Sequence, residues 1–215
     1  MAREWTAENA RQESLNAWIH GLGFVLSIPA GIALARLTMT GEPGLMIACA
    51  VYSCSLSGVY LFSTLSHAVR DPTRRHQMRA LDQGFIYTLI AGSFTPLLWS
   101  YLAGWTRIVV LLAVWAAAAV GFHSKVLSRR RIDDMDPLGC ILLGWIPSMV
   151  LLPSATYGCF GIMLLGGVIY TIGVYFLQND HREWYYHPLW HLMVIAASAS
   201  HYIGIVLYAV LQWDR

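Results

Sequence analysis

Two histidines, His187 and His191, stand at positions i and i+4, a spacing that puts both imidazoles on one helical face about a turn apart. That is how a helix commonly offers two ligands to one metal ion. A third imidazole, His67, closes a different apolar stretch, with Ser63 one turn before it, and Asp82 opens the next stretch in Leu81-Asp82-Gln83-Gly84. Three imidazoles suit zinc in its catalytic form, where the fourth position is left to a water that gives up its proton easily. On this basis His67, His187 and His191 are the expected zinc ligands. Asp82 is expected to hold that water as general base, or to orient a ligand histidine. Ser63 is placed to donate a hydrogen bond to a substrate carbonyl or to the oxyanion that forms from it.

Each of these residues also has a plainer use. Histidines at helix ends serve as amphipathic anchors, Asp82 can cap a helix, and Ser63 can bond back to its own helix or allow close packing. Five polar groups from three helices at one depth favour the metal. His20, His123 and His201 read as structural residues, and His76 and His181 as loop residues. His201 lies ten residues beyond His191, about 15 Å further along a helix, too far to share its ligand shell. With Ser198 it marks a polar seam facing the bundle interior. The run Arg129-Arg130-Arg131, followed by Asp133, Asp134 and Asp136, reads as a solvated loop.

The elements that must position these groups follow from composition. Hydrophobic residues make up 57% of the 215-residue chain and charged residues 12%, with a mean hydropathy of +0.52, which is membrane-protein territory. A spanning helix needs about 20 mostly apolar residues. Seven such stretches occur, over 17–37, 44–69, 82–101, 106–126, 136–152, 157–177 and 187–212. The expectation is an all-α bundle of seven transmembrane helices forming one domain, with a polar segment at 1–16 and a short loop at 70–80 between the second and third helices.

Positive charge is retained on the cytoplasmic side of a membrane. Arg3, Arg11, Arg70, Arg74, Arg75, Arg79, Lys125, Arg129, Arg130, Arg131 and Arg182 fall on one side, and only Arg36, Arg107 and Arg215 on the other. The N-terminus is therefore expected inside and the C-terminus outside. Trp99, Tyr101, Trp105 and Trp213 fall at expected outer ends, and Trp184, Tyr185 and Tyr186 at the inner approach to the last helix, as interfacial aromatics do. Ala33-Leu34-Ala35 resembles a signal-peptide cleavage site, but Glu4, Glu8 and Glu13 ahead of the first apolar run do not suit a signal's positive start.

The cysteines, Cys49, Cys54, Cys140 and Cys159, form no C-x-x-C pair and read as buried free thiols. A net charge of +2 is too small to point to nucleic acid; membrane lipid is the expected partner, as candidate substrate and as an anionic surface for the basic loops.

Five ordered motifs carry a resemblance. Asn16-Ala-Trp-Ile-His20-Gly21-Leu-Gly23, Ser63-Thr-Leu-Ser-His67, Leu81-Asp82-Gln-Gly-Phe-Ile-Tyr-Thr-Leu-Ile-Ala-Gly92-Ser-Phe-Thr-Pro96, Gly166-Gly-Val-Ile-Tyr170-Thr-Ile-Gly173 and His187-Pro-Leu-Trp-His191 resemble the hemolysin III family. That family is similar to the adiponectin and progestin receptors and belongs with the alkaline ceramidases to a superfamily of seven-helix metal hydrolases. The likeness runs from about residue 14 to the end of the last helix. It implies zinc on His67, His187 and His191, a water held by Asp82, and Ser63 lining the site. It also implies a cell-membrane location, bacterial and inner-membrane, and ceramidase-like chemistry; hormone binding is not implied, because the long soluble N-terminal region of the animal receptors is missing.

Four functions compete on these residues. The leading one is a zinc-dependent hydrolase of a lipid amide or ester bond. The second is a membrane sensor, receptor or pore-forming hemolysin-like protein whose zinc is structural. Haem between histidine pairs fits poorly, since rings on one helical face cannot ligate opposite sides of a porphyrin. Serine-hydrolase chemistry fits poorly too, because Ser63 and His67 share a helix and no nucleophile elbow is present.

Overall fold

The computed structural model describes residues 7–128 and 136–212, with side chains from residue 10 onward. Arg3, Glu4, Arg129, Arg130, Arg131, Asp133, Asp134, Trp213 and Arg215, and the side chain of Glu8, lie outside the described part. Seven α-helices follow one another: α1 (Ala7–Thr38), α2 (Pro43–Ala68), α3 (Pro72–Tyr101), α4 (Gly104–Phe122), α5 (Pro137–Leu151), α6 (Tyr157–Gln178) and α7 (Tyr186–Gly204). Short π-helical turns extend α4 over His123–Leu127 and α7 over Ile205–Val210. There is no strand among the described residues.

Five of the helices are long and apolar enough to cross a membrane. The two that fall short do so for different reasons. α5 has only 15 residues. α3 mixes small and polar residues into its span, and the fold explains why: Ala91, Gly92, Ser93, Phe94, Thr95, Pro96, Leu97 and Leu98 are buried in succession. A helix buried on every side is surrounded by protein rather than lipid, and α3 packs against α2, α4, α5 and both π-helical turns. Small residues let its neighbours come close. A Cβ on Gly92 would stand 2.7 Å from the Ser55 Oγ of α2.

The outer helices show the complementary pattern. Leu22, Val25 and Leu26 of α1, and Val109, Leu112 and Val120 of α4, are largely exposed. In water so much apolar surface would be a liability; in a bilayer it is the lipid-facing skin. α1 also packs against α7, so the first and last helices close the bundle.

Two boundaries differ from those read in the sequence. α1 begins by Ala7 and α3 at Pro72, so most of the segment 70–80 is helix rather than loop. Charge ends an apolar pattern without ending a helix. Arg74, Arg75 and Arg79 ride on helical turns that run beyond the apolar belt. The N-cap of α3 is Asp71, whose carboxylate accepts from the Arg74 backbone N–H at 2.9 Å. Asp82 is therefore no cap but lies about three turns inside α3, at 1.5 Å per residue.

Candidate metal centre

α2 ends at Ala68 and α3 starts at Pro72, so a three-residue link joins them. His67 sits in the last turn of α2 and His187 in the first turn of α7. Antiparallel packing thus brings these ends to one level. His67, His187 and His191 each offer a ring nitrogen within 4.8 Å of the others. The Nε2 atoms of His67 and His191 stand 3.1 Å apart, close to the edge of about 3.3 Å expected for a tetrahedron with Zn–N bonds of about 2.0–2.1 Å. The ring centres of His187 lie 5.1 Å from His67 and 4.7 Å from His191. His67 and His191 are buried, while His187 is partly open.

The other nitrogen of each ring is occupied. His67 Nδ1 contacts a Glu13 carboxylate oxygen at 2.6 Å, His187 Nδ1 contacts Asp180 at 3.0 Å, and His191 Nδ1 contacts His20 Nε2 at 3.1 Å. A ring held through Nδ1 presents Nε2 outward as a ligand, which is the arrangement a divalent cation needs. Asp82 lies beside this group. Its carboxylate accepts from the Ser66 hydroxyl at 3.0 Å and interacts electrostatically with His67 and His187. The Oγ of Ser63 is buried next to the same Asp82 carboxylate, at the edge of the histidine group.

The profile of the family described as Haemolysin-III related matches residues 8–202. The chain belongs to the haemolysin-III related family. Hemolysin-3 of Bacillus cereus is 33% identical over 204 residues, covering 93% of each protein. The Hemolysin-3 homolog of Bacillus subtilis (strain 168) is 28% identical, covering 93% of this chain and 95% of its own. The human Monocyte to macrophage differentiation factor is 26% identical over 202 residues, 92% of this chain and 84% of its own. No solved structure matches with significance. Family and apolar helices together make this a multi-pass membrane protein, and the bacterial relatives support a cell-membrane location.

In this haemolysin-III related chain, all five residues singled out for chemistry gather at one end of the bundle, but Asp82 and Ser63 stand beside the histidine group rather than within it. Three contributors were missed. Glu13 and Asp180 look like surface charges in the sequence, and His20 reads as structural. Glu13 also pairs with Arg75, and with Arg79 at 3.6 Å. A usable signal existed for His20: it lies four residues after Asn16 on the face of α1 that is buried, since both residues are.

The remaining histidines divide clearly. His123 is exposed. His201 is buried, donates from Nε2 to the Met163 carbonyl at 3.2 Å, and packs directly on Gly166, where no Cβ could fit. Close by, Tyr170 and Ser198 share a 2.6 Å hydroxyl–hydroxyl bond, so the expected polar seam is present. Beyond the histidine group lies an apolar cavity between α3, α5, α6 and α7, lined by Ile86, Leu89, Phe94, Trp190 and Val194 among others.

Proposed function

We propose that the chain is an integral-membrane, zinc-dependent hydrolase acting on an amide or ester bond of a lipid. The observation that carries this is the convergence of three imidazoles, each with Nδ1 occupied, beside a carboxylate and the buried hydroxyl next to it. His67, His187 and His191 would hold the ion. Zinc in such a site supplies a Lewis acid and makes water easier to deprotonate.

The chain's own groups supply the rest. Asp82, steadied by Ser66, takes a proton from the attacking water and returns it to the departing amine or alcohol. Water's oxygen joins the carbonyl carbon and the C–N or C–O bond breaks. Ser63 donates to the carbonyl oxygen as its charge grows. The apolar cavity begins about one turn from Asp82 and next to His191, at Ile86 and Trp190, which suits an acyl chain. The basic end of the bundle, which carries the histidines, faces the cytoplasm on the positive-inside rule.

Purified protein is expected to contain near-stoichiometric zinc, and His187→Ala and His191→Ala to lose both metal and hydrolysis of a long-chain amide such as ceramide. Hydrolysis that persists in metal-free protein defeats the proposal. The printed name of the bacterial relatives, Hemolysin-3, favours a second reading, a lytic protein with structural zinc. There Asp82→Ala would leave lysis of red cells intact.

A further inference from the structure

The geometry points to α1 as the element that orients the metal ligands, through Glu13 acting on His67 and through His20, backed by Asn16, acting on His191. This rests on the proposal that the three histidines hold a metal ion. None of the three ligands lies on α1, yet α1 reaches two of them.

A histidine that binds metal through Nε2 carries its proton on Nδ1 and needs an acceptor there. For His67 that acceptor is the Glu13 carboxylate, 2.6 Å away and itself paired with Arg75. For His191 the group facing Nδ1 is His20 Nε2 at 3.1 Å, which also lies 3.3 Å from the His191 backbone carbonyl oxygen. Without metal a proton on His20 Nε2 goes to that carbonyl; when His191 binds metal through its Nε2, His20 accepts from the His191 Nδ1–H only with its own proton on Nδ1. That atom is buried with no hydrogen-bond partner.

One turn earlier on the same face of α1, the Oδ1 of Asn16 is also buried and unpartnered. A lone N–H donor and a lone carbonyl acceptor at i+4 and i are complementary, and leaving both unmade inside a protein is costly. A bridging water or a small side-chain rotation would join them. The resulting line, Asn16 to His20 to His191, fixes which nitrogen of His191 faces the metal. His20 and Glu13 are thus positioning residues, which act on metal affinity through His191 and His67.

The test uses full-length protein in detergent, with zinc affinity measured by competition against a chromophoric chelator and ligand geometry followed by the visible spectrum of the cobalt(II) form. His20→Leu and Glu13→Ala are expected to weaken zinc binding by roughly 10–100-fold and to alter the cobalt spectrum. His20→Gln, whose side-chain carbonyl can accept where Nε2 did, is expected to restore most of the affinity. Thermal stability without metal separates orientation from packing, because an orienting role predicts Gln and Leu variants alike in the apo state and different when loaded. Unchanged zinc affinity in His20→Leu overturns the inference, as does an equal loss in His20→Gln and His20→Leu. Wild-type protein that takes up no divalent metal overturns both this and the hydrolase proposal, whereas tight zinc without lipid turnover leaves the inference standing and removes only the hydrolase.

Discussion

Glu13 and His67, 54 positions apart in the chain, meet through a 2.6 Å contact between a carboxylate oxygen and Nδ1. The carboxylate also pairs with Arg75. One side chain of α1 therefore ties the end of α2 to the extended start of α3, at the level where His187 and His191 come forward from α7.

Asp82 interacts with His67 and His187 without belonging to the ligand group, so its replacement should separate chemistry from metal binding. Asp82→Asn is expected to keep near wild-type zinc content while lipid hydrolysis falls by roughly 10²–10⁴-fold, the usual contribution of a general base. Metal analysis and a turnover assay on one preparation check both halves. Loss of the metal along with the activity would place Asp82 among the ligands instead.

Metal uptake should depend on pH with a definite sign. An imidazole binds a cation only when neutral. Zinc affinity is expected to fall once the solution is acid enough to protonate the three rings and to level off above that point. Chelator competition over a pH series carried well into acid measures this, and an affinity that stays flat throughout, with the protein still folded, contradicts ligation by three histidines.

The packing of α3 predicts a contrast between two glycines. A Cβ on Gly92 would press on Ser55, 2.7 Å from its Oγ and 2.9 Å from its Cβ, whereas a Cβ on Gly161 of α6 meets nothing within 4 Å. Gly92→Ala is expected to cost about 1–3 kcal/mol through overpacking. Gly161→Ala should be neutral or should stabilise by up to about 1 kcal/mol through helix propensity. Thermal melts in a single detergent rank the pair.

Orientation has its own measurement. With the basic end inside and seven crossings, green fluorescent protein fused after Arg215 should stay dark in a bacterial host, and alkaline phosphatase fused there should be active. The opposite pattern reverses the assignment of the basic end to the cytoplasm.

Much of this was legible in the sequence for physical reasons. Seven apolar runs give seven helices, five of them with the length and apolarity that lipid demands of a spanning helix. The i, i+4 pair His187 and His191 needed only helical periodicity, and His67 needed only antiparallel neighbours. What stayed hidden lay where the apolar pattern stops. Glu13 and Arg75 sit on helical turns outside the apolar belt, where hydropathy falls silent although backbone hydrogen bonding continues. Asp180 lies between α6 and α7, where no periodicity applies. His20 was hidden differently: an isolated histidine on an apolar face looks structural until the partner across the helix interface is known. The apolar cavity arises from four helices meeting, and no single stretch of chain records it.

The contact between His67 Nε2 and His191 Nε2 joins residues 124 positions apart, and α7 leaves the ribosome after the other six helices. A nascent chain threaded into the bilayer in order would hold α1, α2 and α3, with Glu13, His67 and Arg75 already able to meet, long before two of the three imidazoles exist. α7 must be made before the three imidazoles can meet. A chain cut short ahead of α7 would keep one imidazole of the trio, so the three-histidine group is itself the mark of a copy translated through α7.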